Sequence, residues 1–258
     1  MSTALVTGAT AGIGAAFARH LAARGDDVVL VARDGARLAS LADELADAHG
    51  VHVEVVRADL ADAHDLHAVA ERAAASKNPI DLLVNNAGFG MTATLLDDLT
   101  EHDRAWAVMG QAVVVLSNAA ARAMRARGTG RILNVASLSA WITQGEYSAL
   151  KSYVKLYTEG LASDLHGSGV TATALCPGWV RTEFHERAAI GTGAIPAWVW
   201  VDADRCVREA LADADAGRAL SIPTKRWKLA AFALQHAPRG AVRALSRSLG
   251  ASRRATQP

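Results

Sequence analysis

The sequence predicts an α/β fold in which a doubly wound parallel sheet of about seven strands carries helices on both faces. Short apolar runs alternate along the chain with longer alanine-rich segments of helical periodicity. Most of the short runs are continuously apolar, as strands covered on both faces require. Neither an internal repeat nor a low-complexity linker interrupts this order, which favours a single α/β domain over residues 1–224.

The first half of the chain contains four candidate strands. "ALVT" (residues 4–7) leads into a glycine-rich turn, and the following "AGIGAAFARHLAARG" is typical of a helix that Gly25 ends. "DVVLVAR" (27–33) is typical of a buried strand, and a helix follows it with leucines at positions 38, 41 and 45. "VHVEVVRAD" (51–59) alternates as a strand does, and "DLLVNNAG" (81–88) is another buried run.

The second half repeats the pattern. "GRILNVAS" (130–137) and "VTATALCPG" (170–178) predict two further buried strands, and "ALSIPT" (219–224) predicts a short last one. We interpret residues 184–201, which contain glycines, Trp198 and Trp200, as a mobile apolar cover over a substrate. The tryptophans of this segment could instead be buried against a partner subunit.

Composition sets further limits. Of all residues 51% are apolar and 21% are charged, which is typical of a soluble globular protein. No apolar run is long enough to span a bilayer, and no basic region followed by an apolar stretch marks a secretory signal. The two cysteines, Cys176 and Cys206, are too few for a disulfide framework. We therefore expect a cytoplasmic protein.

Residues 225–258 are predicted to form a basic, helical C-terminal extension. The segment carries eight Lys or Arg residues and no Asp or Glu, and its apolar residues permit amphipathic helices on either side of Pro238. It could pack as a solvated helix pair on the body of the protein, or it could make a peripheral contact with anionic lipid of a membrane or with an acidic partner. Nucleic acid is not an expected partner, because no recognition motif accompanies the charge.

Gly8, Gly12 and Gly14 in "TGATAGIG" lie where the first predicted strand meets the first predicted helix. Glycines at such a junction let the backbone turn tightly and bring a helix N-terminus close to a pyrophosphate. Turns often require glycine for conformational reasons, so the glycine cluster alone is weak evidence for a dinucleotide site. Its position at the opening of a βαβ unit makes it typical of the dinucleotide site of a Rossmann-type fold.

The second and third strands bear on which dinucleotide is bound. The second strand ends at Arg33, whose guanidinium suits a 2′-phosphate, whereas an acidic residue there would favour NAD(H). Asp34 complicates this interpretation, although the dipole of the next helix also explains an acid there. We expect NADP(H), with NAD(H) less favoured. Asp59, after the third strand, could accept from the adenine amine, act as a helix N-cap, or both.

The fourth strand ends in "NNAG" (85–88), at the crevice where ligands bind in such sheets. Asn85 and Asn86 need hydrogen-bond partners if their strand is buried. We therefore expect a structural role for one of these asparagines beside contacts of Ala87 and Gly88 with the cofactor.

Tyr147 and Lys151, in "YSALK", are one helical turn apart and share a helix face. A phenol ordinarily has a pKa of about 10, too high for ready proton exchange at neutral pH. A nearby ammonium and a positively charged nicotinamide lower the pKa of a phenol toward the range that general acid catalysis needs. Ser137, directly after the fifth strand, could stabilise a substrate oxygen. Ser137 and Ser139 could also be ordinary loop residues. Of the two, we prefer Ser137 as the catalytic serine, because it directly follows the strand.

Over about residues 3–224 the chain resembles the short-chain dehydrogenase/reductase family. The resemblance lies in five segments that occur in this order: "TGATAGIG", "NNAG", "ILNVAS", "YSALK" and "CPGWVRTEF". The sequences "VARDGARL" and "RILNVAS" are similar to those of the NADP-preferring branch of the family that has a basic C-terminal extension. The resemblance implies that Tyr147 donates its proton to a carbonyl while hydride arrives from the nicotinamide. It also implies a homodimer or homotetramer. The cofactor contacts that it implies are Gly8, Thr10, Gly12, Ile13, Gly14, Arg33, Asp59, Leu60, Asn86, Ala87, Gly88, Tyr147, Lys151, Pro177, Gly178, Val180 and Thr182.

Two features depart from the family pattern. Ser137 and Tyr147 are only ten positions apart, closer than is usual in the family, so we expect a tightened loop with Trp141 and Ile142 as a pocket wall. Met109 falls where the family often has an asparagine that holds a proton-relay water, and a thioether accepts hydrogen bonds only weakly. Gln111 or a backbone carbonyl could substitute for that asparagine.

The leading hypothesis is an NAD(P)(H)-dependent carbonyl reductase or alcohol dehydrogenase that acts on a hydrophobic ketone, aldehyde or secondary alcohol. The two departures motivate a competing hypothesis, a catalytically weak or inactive NADP-binding sensor or scaffold on the same fold. No metal site is predicted, because His64 and His67 lack a further clustered ligand.

Overall fold

The computed structural model describes residues 2–181 and 197–254. Seven parallel strands form one sheet in the order β3-β2-β1-β4-β5-β6-β7, which confirms the predicted doubly wound sheet. The strands are β1 (Thr3–Thr7), β2 (Asp27–Ala32), β3 (Val53–Arg57), β4 (Leu82–Asn85), β5 (Gly130–Val135), β6 (Val170–Leu175) and β7 (Leu220–Ser221).

Helices cover both faces of the sheet. They are α1 (Gly12–Ala23), α2 (Gly35–His49), α3 (Ala63–Ala74), α4 (Thr100–Trp106), α5 (Ala112–Arg127), α6 (Gly145–Asp164), α7 (Ala203–Asp215), α8 (Lys225–His236) and α9 (Arg239–Arg254). Apolar side chains of α1, α2 and α7 share one core cluster with the sheet, and those of α3 and α5 share another. The helical spacing of leucines in α2 thus marks the face that is buried.

Strand β1 lies at the centre of the sheet, paired with β2 on one side and with β4 on the other. The chain first winds outward through β2 and β3, and then winds the other way from β4 to β7. The loops that follow β1 and β4 therefore run in opposite directions, and a crevice opens between them at the carboxyl ends of the strands.

A continuous helical stretch runs from Thr100 to Arg127 and includes a π-helical turn at Ala107–Gln111. By length and composition alone these 28 residues could cross a membrane, although no single apolar run in the sequence is that long. However, 56% of the most apolar 18-residue stretch of this helix is buried within the protein. Its α5 portion packs on α3, β4 and β5, as a core helix does.

The C-terminal extension forms α8 and α9, and both pack on the body of the protein. Ala231 of α8 and Val242 of α9 are buried, and the Ser246 hydroxyl of α9 accepts a hydrogen bond from the Thr143 N–H at 3.0 Å. The structure therefore shows that both helices of the extension are packed on the body of the protein.

Candidate active site

A cavity of about 1550 Å³ opens at the carboxyl ends of the strands. It is bordered by the segments that follow β1 to β6 and by helices α6, α8 and α9. The predicted site residues that line it are Gly8, Thr10, Gly12, Ile13, Arg33, Asp59, Leu60, Asn86, Ala87, Gly88, Ser137, Tyr147, Lys151, Pro177, Gly178 and Val180. The candidate cofactor residues and the candidate catalytic residues thus share one cavity.

The glycine turn after β1 has two conformational roles and one packing role. Gly8 and Gly12 have φ values of +65° and +55°, in the left-handed region that favours glycine. Gly14 is not among the residues that line the cavity, and its contact with the cofactor stays a prediction. A Cβ on Gly14 would lie 2.2 Å from the Gly8 carbonyl oxygen and 2.5 Å from Asn86 Nδ2. The missing side chain therefore lets α1 pack closely against the turn and the end of β4.

Hydrogen bonds hold the ends of β1 and β4 together beneath this turn. Thr7 Oγ1 accepts from the backbone N–H groups of Asn86 and Ala87 at 2.9 and 3.0 Å, and the Asn86 side-chain amide donates to the Thr7 carbonyl at 2.9 Å. Asn85 is buried and donates to Asn134 Oδ1 at 2.9 Å. Asn86 thus has partners for its backbone N–H and its side-chain amide, whereas Asn85 donates from its amide but its buried Oδ1 has no partner among the described residues. Thr7 is a positioning residue that the sequence did not reveal.

Two arginines line the cavity beyond the end of β2. Arg33 follows the strand directly, and Arg37 lies in the first turn of α2. Asp34 Oδ1 accepts from the Arg37 N–H at 3.1 Å, so this acid is the N-cap of α2. Arg57 Nε donates to the Arg33 carbonyl oxygen at 3.2 Å and so fixes the backbone from which the Arg33 side chain extends.

Asp59 lines the cavity and is also paired within the protein. Its carboxylate accepts from Arg104 Nη2 at 2.8 and 3.1 Å and from the Ala61 N–H at 3.1 Å. Burial opposes the ionisation of Asp59, but the hydrogen bonds from Arg104 and Ala61 outweigh it and hold the pKa of Asp59 below its usual value. The N-cap of α3 is Asp62, so the N-cap interpretation of Asp59 is wrong.

The three candidate catalytic residues converge from α6 and from the end of β5. Tyr147 and Lys151 lie on α6, with the Lys151 ammonium 5.6 Å from the centroid of the Tyr147 ring. Ser137 Oγ accepts from the Ser139 N–H at 3.0 Å and begins the short 3-10 turn Leu138–Trp141. Accepting that bond orients the Ser137 hydroxyl so that its proton can be donated to a ligand oxygen. Ser139 also lines the cavity.

Lys151 is buried, and its ammonium donates to the Val135 carbonyl oxygen at 2.9 Å. Burial lowers the pKa of Lys151 to about 8. Below that pH the ammonium is a positive charge in a low-dielectric setting beside Tyr147, where it favours the ionised phenol. Burial also raises the pKa of Cys176 to about 12, so the thiol stays protonated.

The short connection between Ser137 and Tyr147 contributes only one of its two predicted residues to the cavity wall. Ile142 lines the cavity, but Trp141 does not, so the prediction of Trp141 as a wall residue is wrong. The Trp141 ring is buried, and the Lys155 ammonium lies 5.2 Å from its centroid. Gln144 lines the cavity instead, and its Nε2 is buried with no hydrogen-bond partner among the described residues.

Met109 lies in the π-helical turn, is buried and lines the cavity. Its Sδ is 3.2 Å from the place that a Cβ on Gly88 would take, so the thioether occupies the space left by that glycine. Gln111 is exposed and does not line the cavity, so it cannot replace the family asparagine. The Lys151 ammonium is bonded to a backbone carbonyl, that of Val135.

The segment after β6 lines the cavity through Pro177, Gly178 and Val180, whereas Thr182 lies outside the described residues. A Cβ on Gly178 would lie 2.2 Å from Cε2 of Trp227 on α8. Gly178 therefore has a second role besides its predicted cofactor contact, because its missing side chain lets the indole of Trp227 pack against the backbone.

Most of the predicted substrate cover (residues 184–201) lies outside the described residues. At its described end, Trp198 is 70% exposed, and Trp200 packs edge-on against Trp179 with ring centroids 5.7 Å apart. Trp179 lines the cavity, whereas the two predicted tryptophans do not. Arg226 of α8 donates to the carbonyl oxygens of Trp198 and Trp200, so this end is tied to the C-terminal extension.

The C-terminal extension completes the cavity, a role that the sequence did not reveal. Its lining residues are Trp227, Ala230, Ala233, Leu234 and Leu245. The indole Nε1 of Trp227 is buried without a partner among the described residues. A helical spacing of apolar residues was visible in the sequence, but amphipathicity does not say which surface a helix covers.

Residues 2–190 match the model of the short chain dehydrogenase family. The chain belongs to this family. Galactitol 2-dehydrogenase (L-tagatose-forming) from Cereibacter sphaeroides is 40% identical over 189 residues, which are 70% of this chain and 72% of that protein. This relative is a dehydrogenase, and the family to which the chain belongs consists of oxidoreductases.

Solved structures of short-chain dehydrogenases agree. A short-chain dehydrogenase from Sphingobium yanoikuyae in complex with NADPH is 35% identical with a TM-score of 0.83, covering 91% of this chain and 94% of that one. A bulky-bulky ketone specific alcohol dehydrogenase from Comamonas testosteroni is 31% identical with a TM-score of 0.78, covering 91% of this chain and 92% of that one. The similarity extends over most of the fold of this short-chain dehydrogenase.

Replacing Lys151 with Met tests the burial of its charge through the pH dependence of stability. In the unfolded chain the lysine has its ordinary pKa of 10.5, whereas in the folded protein its pKa is about 8. Between those values the unfolded state binds more protons, so the lysine destabilises the fold most below pH 8 and less as the pH rises. We expect Lys151→Met to be more stable than wild type at pH 7, by about 3 kcal/mol, with the gain shrinking toward pH 10.

The measurement is urea unfolding at several pH values between 7 and 10, without added nucleotide. Lys77→Met, at an exposed lysine, is the matched control and should show a difference that does not depend on pH. A constant difference for Lys151→Met across this range would contradict the assigned burial cost.

Proposed function

We propose that the protein is an NADP(H)-dependent oxidoreductase that interconverts a hydrophobic ketone or aldehyde and the corresponding alcohol. The observation that carries the proposal is the shared cavity: the glycine turn, the arginines after β2, and Ser137, Tyr147 and Lys151 all line it. A dinucleotide held by the glycine turn would therefore lie in the same cavity as the acid that completes the reduction.

The residues present fit a nicotinamide dinucleotide. Gly8 and Gly12 present backbone rather than side chains to the cavity, and Ala11 supplies no side-chain cap to the first N–H groups of α1. Such N–H groups suit a pyrophosphate. Asp59 retains a carboxylate at the cavity wall for an adenine amine, beside the bonds it accepts from Arg104. Ala87 and Gly88 line the same cavity as the glycine turn and Lys151.

The chain's own residues supply the proton chemistry. Ser137 donates a hydrogen bond to the carbonyl oxygen of the substrate and stabilises its developing negative charge. Tyr147 donates its proton to the same oxygen, and the positive charge of Lys151 stabilises the phenolate that results. When bound, the nicotinamide supplies the hydride. Lys151 would also hold the hydroxyls of the nicotinamide ribose, in addition to the bond that it donates to the Val135 carbonyl.

The arginines after β2 favour NADP(H) over NAD(H). Arg33 and Arg37 line one part of the cavity, where a 2′-phosphate would receive charge-assisted hydrogen bonds. Asp34 is engaged as the cap of α2, so its carboxylate has a structural role there. The relative from Sphingobium yanoikuyae is in complex with NADPH, which supports the same cofactor here.

The substrate end of the cavity favours a bulky apolar carbonyl compound. Ile142, Leu234 and Leu245 contribute apolar wall, and the relative from Comamonas testosteroni is specific for bulky-bulky ketones. Two buried donors, Gln144 Nε2 and Trp227 Nε1, have no partner among the described residues. They suit a substrate that carries an acceptor oxygen besides the one that is reduced.

A sensor or scaffold without useful turnover is the second candidate function. Met109 in place of the family asparagine motivates it, because a thioether is a poor anchor for a relay water. The enzyme is favoured, because the relatives are dehydrogenases and the three candidate catalytic residues share one cavity.

The remaining expectations concern assembly and location. The family resemblance supports a homodimer or homotetramer, and the presence of only two cysteines supports a cytoplasmic location. Peripheral membrane contact through residues 225–258 is supported by their basic charge and by Leu229 and Phe232, which are 69% and 60% exposed on α8.

Replacing Tyr147 with Phe tests the general acid. We expect kcat with NADPH and a hydrophobic carbonyl to fall by about a hundredfold or more, because the ring remains but the proton donor is lost. NADPH affinity should stay close to that of wild type. The measurement is steady-state turnover over a panel of hydrophobic ketones and aldehydes, with NADPH and with NADH.

Tyr153→Phe, on the same helix but outside the cavity lining, is the matched control and should keep its turnover. Turnover that survives Tyr147→Phe would reject the assigned acid. Tight NADPH binding by wild type with no turnover on any carbonyl would instead support the sensor.

Replacing Arg33 with Ala tests the cofactor preference. We expect the Kd for NADPH to rise roughly tenfold to a hundredfold, because a charge-assisted hydrogen bond to the 2′-phosphate is lost. The Kd for NADH should change little. Arg205→Ala removes the same charge from the exposed face of α7, where Arg205 pairs with Glu209, and is the control. Equal losses for both nucleotides would show that Arg33 does not read the 2′-phosphate.

Replacing Leu229 and Phe232 together with Ser tests the membrane contact. Wild type should co-sediment with vesicles that contain phosphatidylserine, and the double variant should remain largely in the supernatant because its apolar anchor is gone. Leu156→Ser, at an exposed leucine of α6, is the control and should pellet like wild type. Equal pelleting of all three proteins would remove the membrane contact from the proposal.

A further inference from the structure

His102 of α4 is buried and makes contacts through both ring nitrogens. Its Nε2 lies 2.9 Å from the Thr94 carbonyl oxygen, and its Nδ1 contacts the carboxylate of Glu146. The side chains of His102 and Glu146 are only 8% and 21% exposed. The imidazole thus bridges the segment after β4 and the first turn of α6.

Both contacts require a proton. A carbonyl oxygen only accepts, so Nε2 must carry the proton that it donates to Thr94. A second proton must lie between Nδ1 and the Glu146 carboxylate, because otherwise two lone pairs would face each other. His102 and Glu146 together therefore bind one shared proton in a largely dry place, where hydrogen bonds of charged groups are strong and a lost partner is costly.

The same end of α4 also holds the segment that runs from Phe89 to Thr94. The Glu101 carboxylate accepts from the backbone N–H groups of Thr92 and Ala93 at 2.8 and 2.7 Å, and from the Thr92 hydroxyl at 3.1 Å. Four residues of this segment line the cavity, namely Phe89, Gly90, Met91 and Ala93. The position of this cavity wall is therefore set from α4.

Glu146 immediately precedes Tyr147 in the first turn of α6. We propose that His102 and Glu146 act as a latch, a pair of positioning residues that fixes the wall 89–94 against the start of the helix that carries Tyr147. The latch keeps the substrate's carbonyl group enclosed against the phenol. It rests on the proposed carbonyl reduction, because only then does the spacing between this wall and the Tyr147 hydroxyl govern turnover.

A second His–Glu pair, on the surface of α3, provides a comparison for the buried pair His102–Glu146. His67 and Glu71 of α3 lie 3.3 Å apart, but their side chains are 76% and 71% exposed. Neither residue lines the cavity, and water and salt screen such a pair. The two pairs have the same chemistry in opposite surroundings, so the exposed one is a matched control.

Glu146→Ala and Glu146→Gln separate the latch from a general loss of stability. Alanine removes the partner of Nδ1. Glutamine has the same shape, and its amide can donate to an unprotonated Nδ1 while Nε2 still donates to Thr94. The first readout is amide hydrogen exchange of residues 89–94. The second is kcat and KM with NADPH and a carbonyl substrate from the hydrophobic panel, together with the Kd for NADPH.

We expect Glu146→Ala to exchange the Thr92 and Ala93 amides about tenfold faster and to lower kcat/KM by about tenfold, because a displaced wall misplaces the substrate. The Kd for NADPH should stay within about twofold, since the glycine turn is untouched. Glu146→Gln should restore both exchange and kcat/KM to within about twofold of wild type, and Glu71→Ala should match wild type throughout.

Unchanged exchange in Glu146→Ala would overturn the latch. So would a variant with lowered thermal stability but wild-type kcat and KM, since that result describes a merely structural pair. Equal damage by glutamine and alanine would overturn the hydrogen-bonded arrangement. If wild type reduced no carbonyl, the proposed function would fail, and the exchange comparison would still decide whether the latch exists.

Discussion

The close contact of the turn after β1 with the start of α1 and the end of β4 is the constraint on which the site depends. At Gly14 a Cβ would come within 2.2 Å of the Gly8 carbonyl oxygen, so a larger residue would force the helix away from the turn. Thr7 joins the same elements by accepting from the N–H groups of Asn86 and Ala87. The turn and the end of β4 are therefore one rigid unit, and a site on such a unit requires little ordering when a ligand binds.

A buried positive charge, that of Lys151, is the second constraint on the site. Burying Lys151 has a cost in free energy, and one hydrogen bond to the Val135 carbonyl offsets only part of it. The same low dielectric strengthens the field of the ammonium at Tyr147. Helix α6 can keep both groups in place because its first turn is tied through Glu146 to His102. Stability is thus lowered at the position where the proposed chemistry needs the charge.

The sequence was sufficient for the sheet and for most of the cavity lining, because buried parallel strands and glycine turns have local signatures. It was not sufficient where packing between distant segments decides. The role of Gly14 depends on the Gly8 carbonyl and on Asn86, and the burial of Trp141 depends on how the shortened loop folds. The contact between His102 and Glu146 joins residues 44 positions apart, and no spacing in the sequence marks it.

The C-terminal extension unites features that the sequence presented as separate. Along α8, Trp227 and Leu234 face the cavity, while Leu229 and Phe232 are exposed on the other side of the same helix. Helix α8 therefore forms part of the cavity wall on one side and part of the protein surface on the other. The missing side chain of Gly178 lets Trp227 pack directly on the backbone after β6, which holds the helix against the carboxyl edge of the sheet. The extension is thus part of the site and not an appendage to it, because the residues that line the cavity from α8 and α9 all lie beyond position 224.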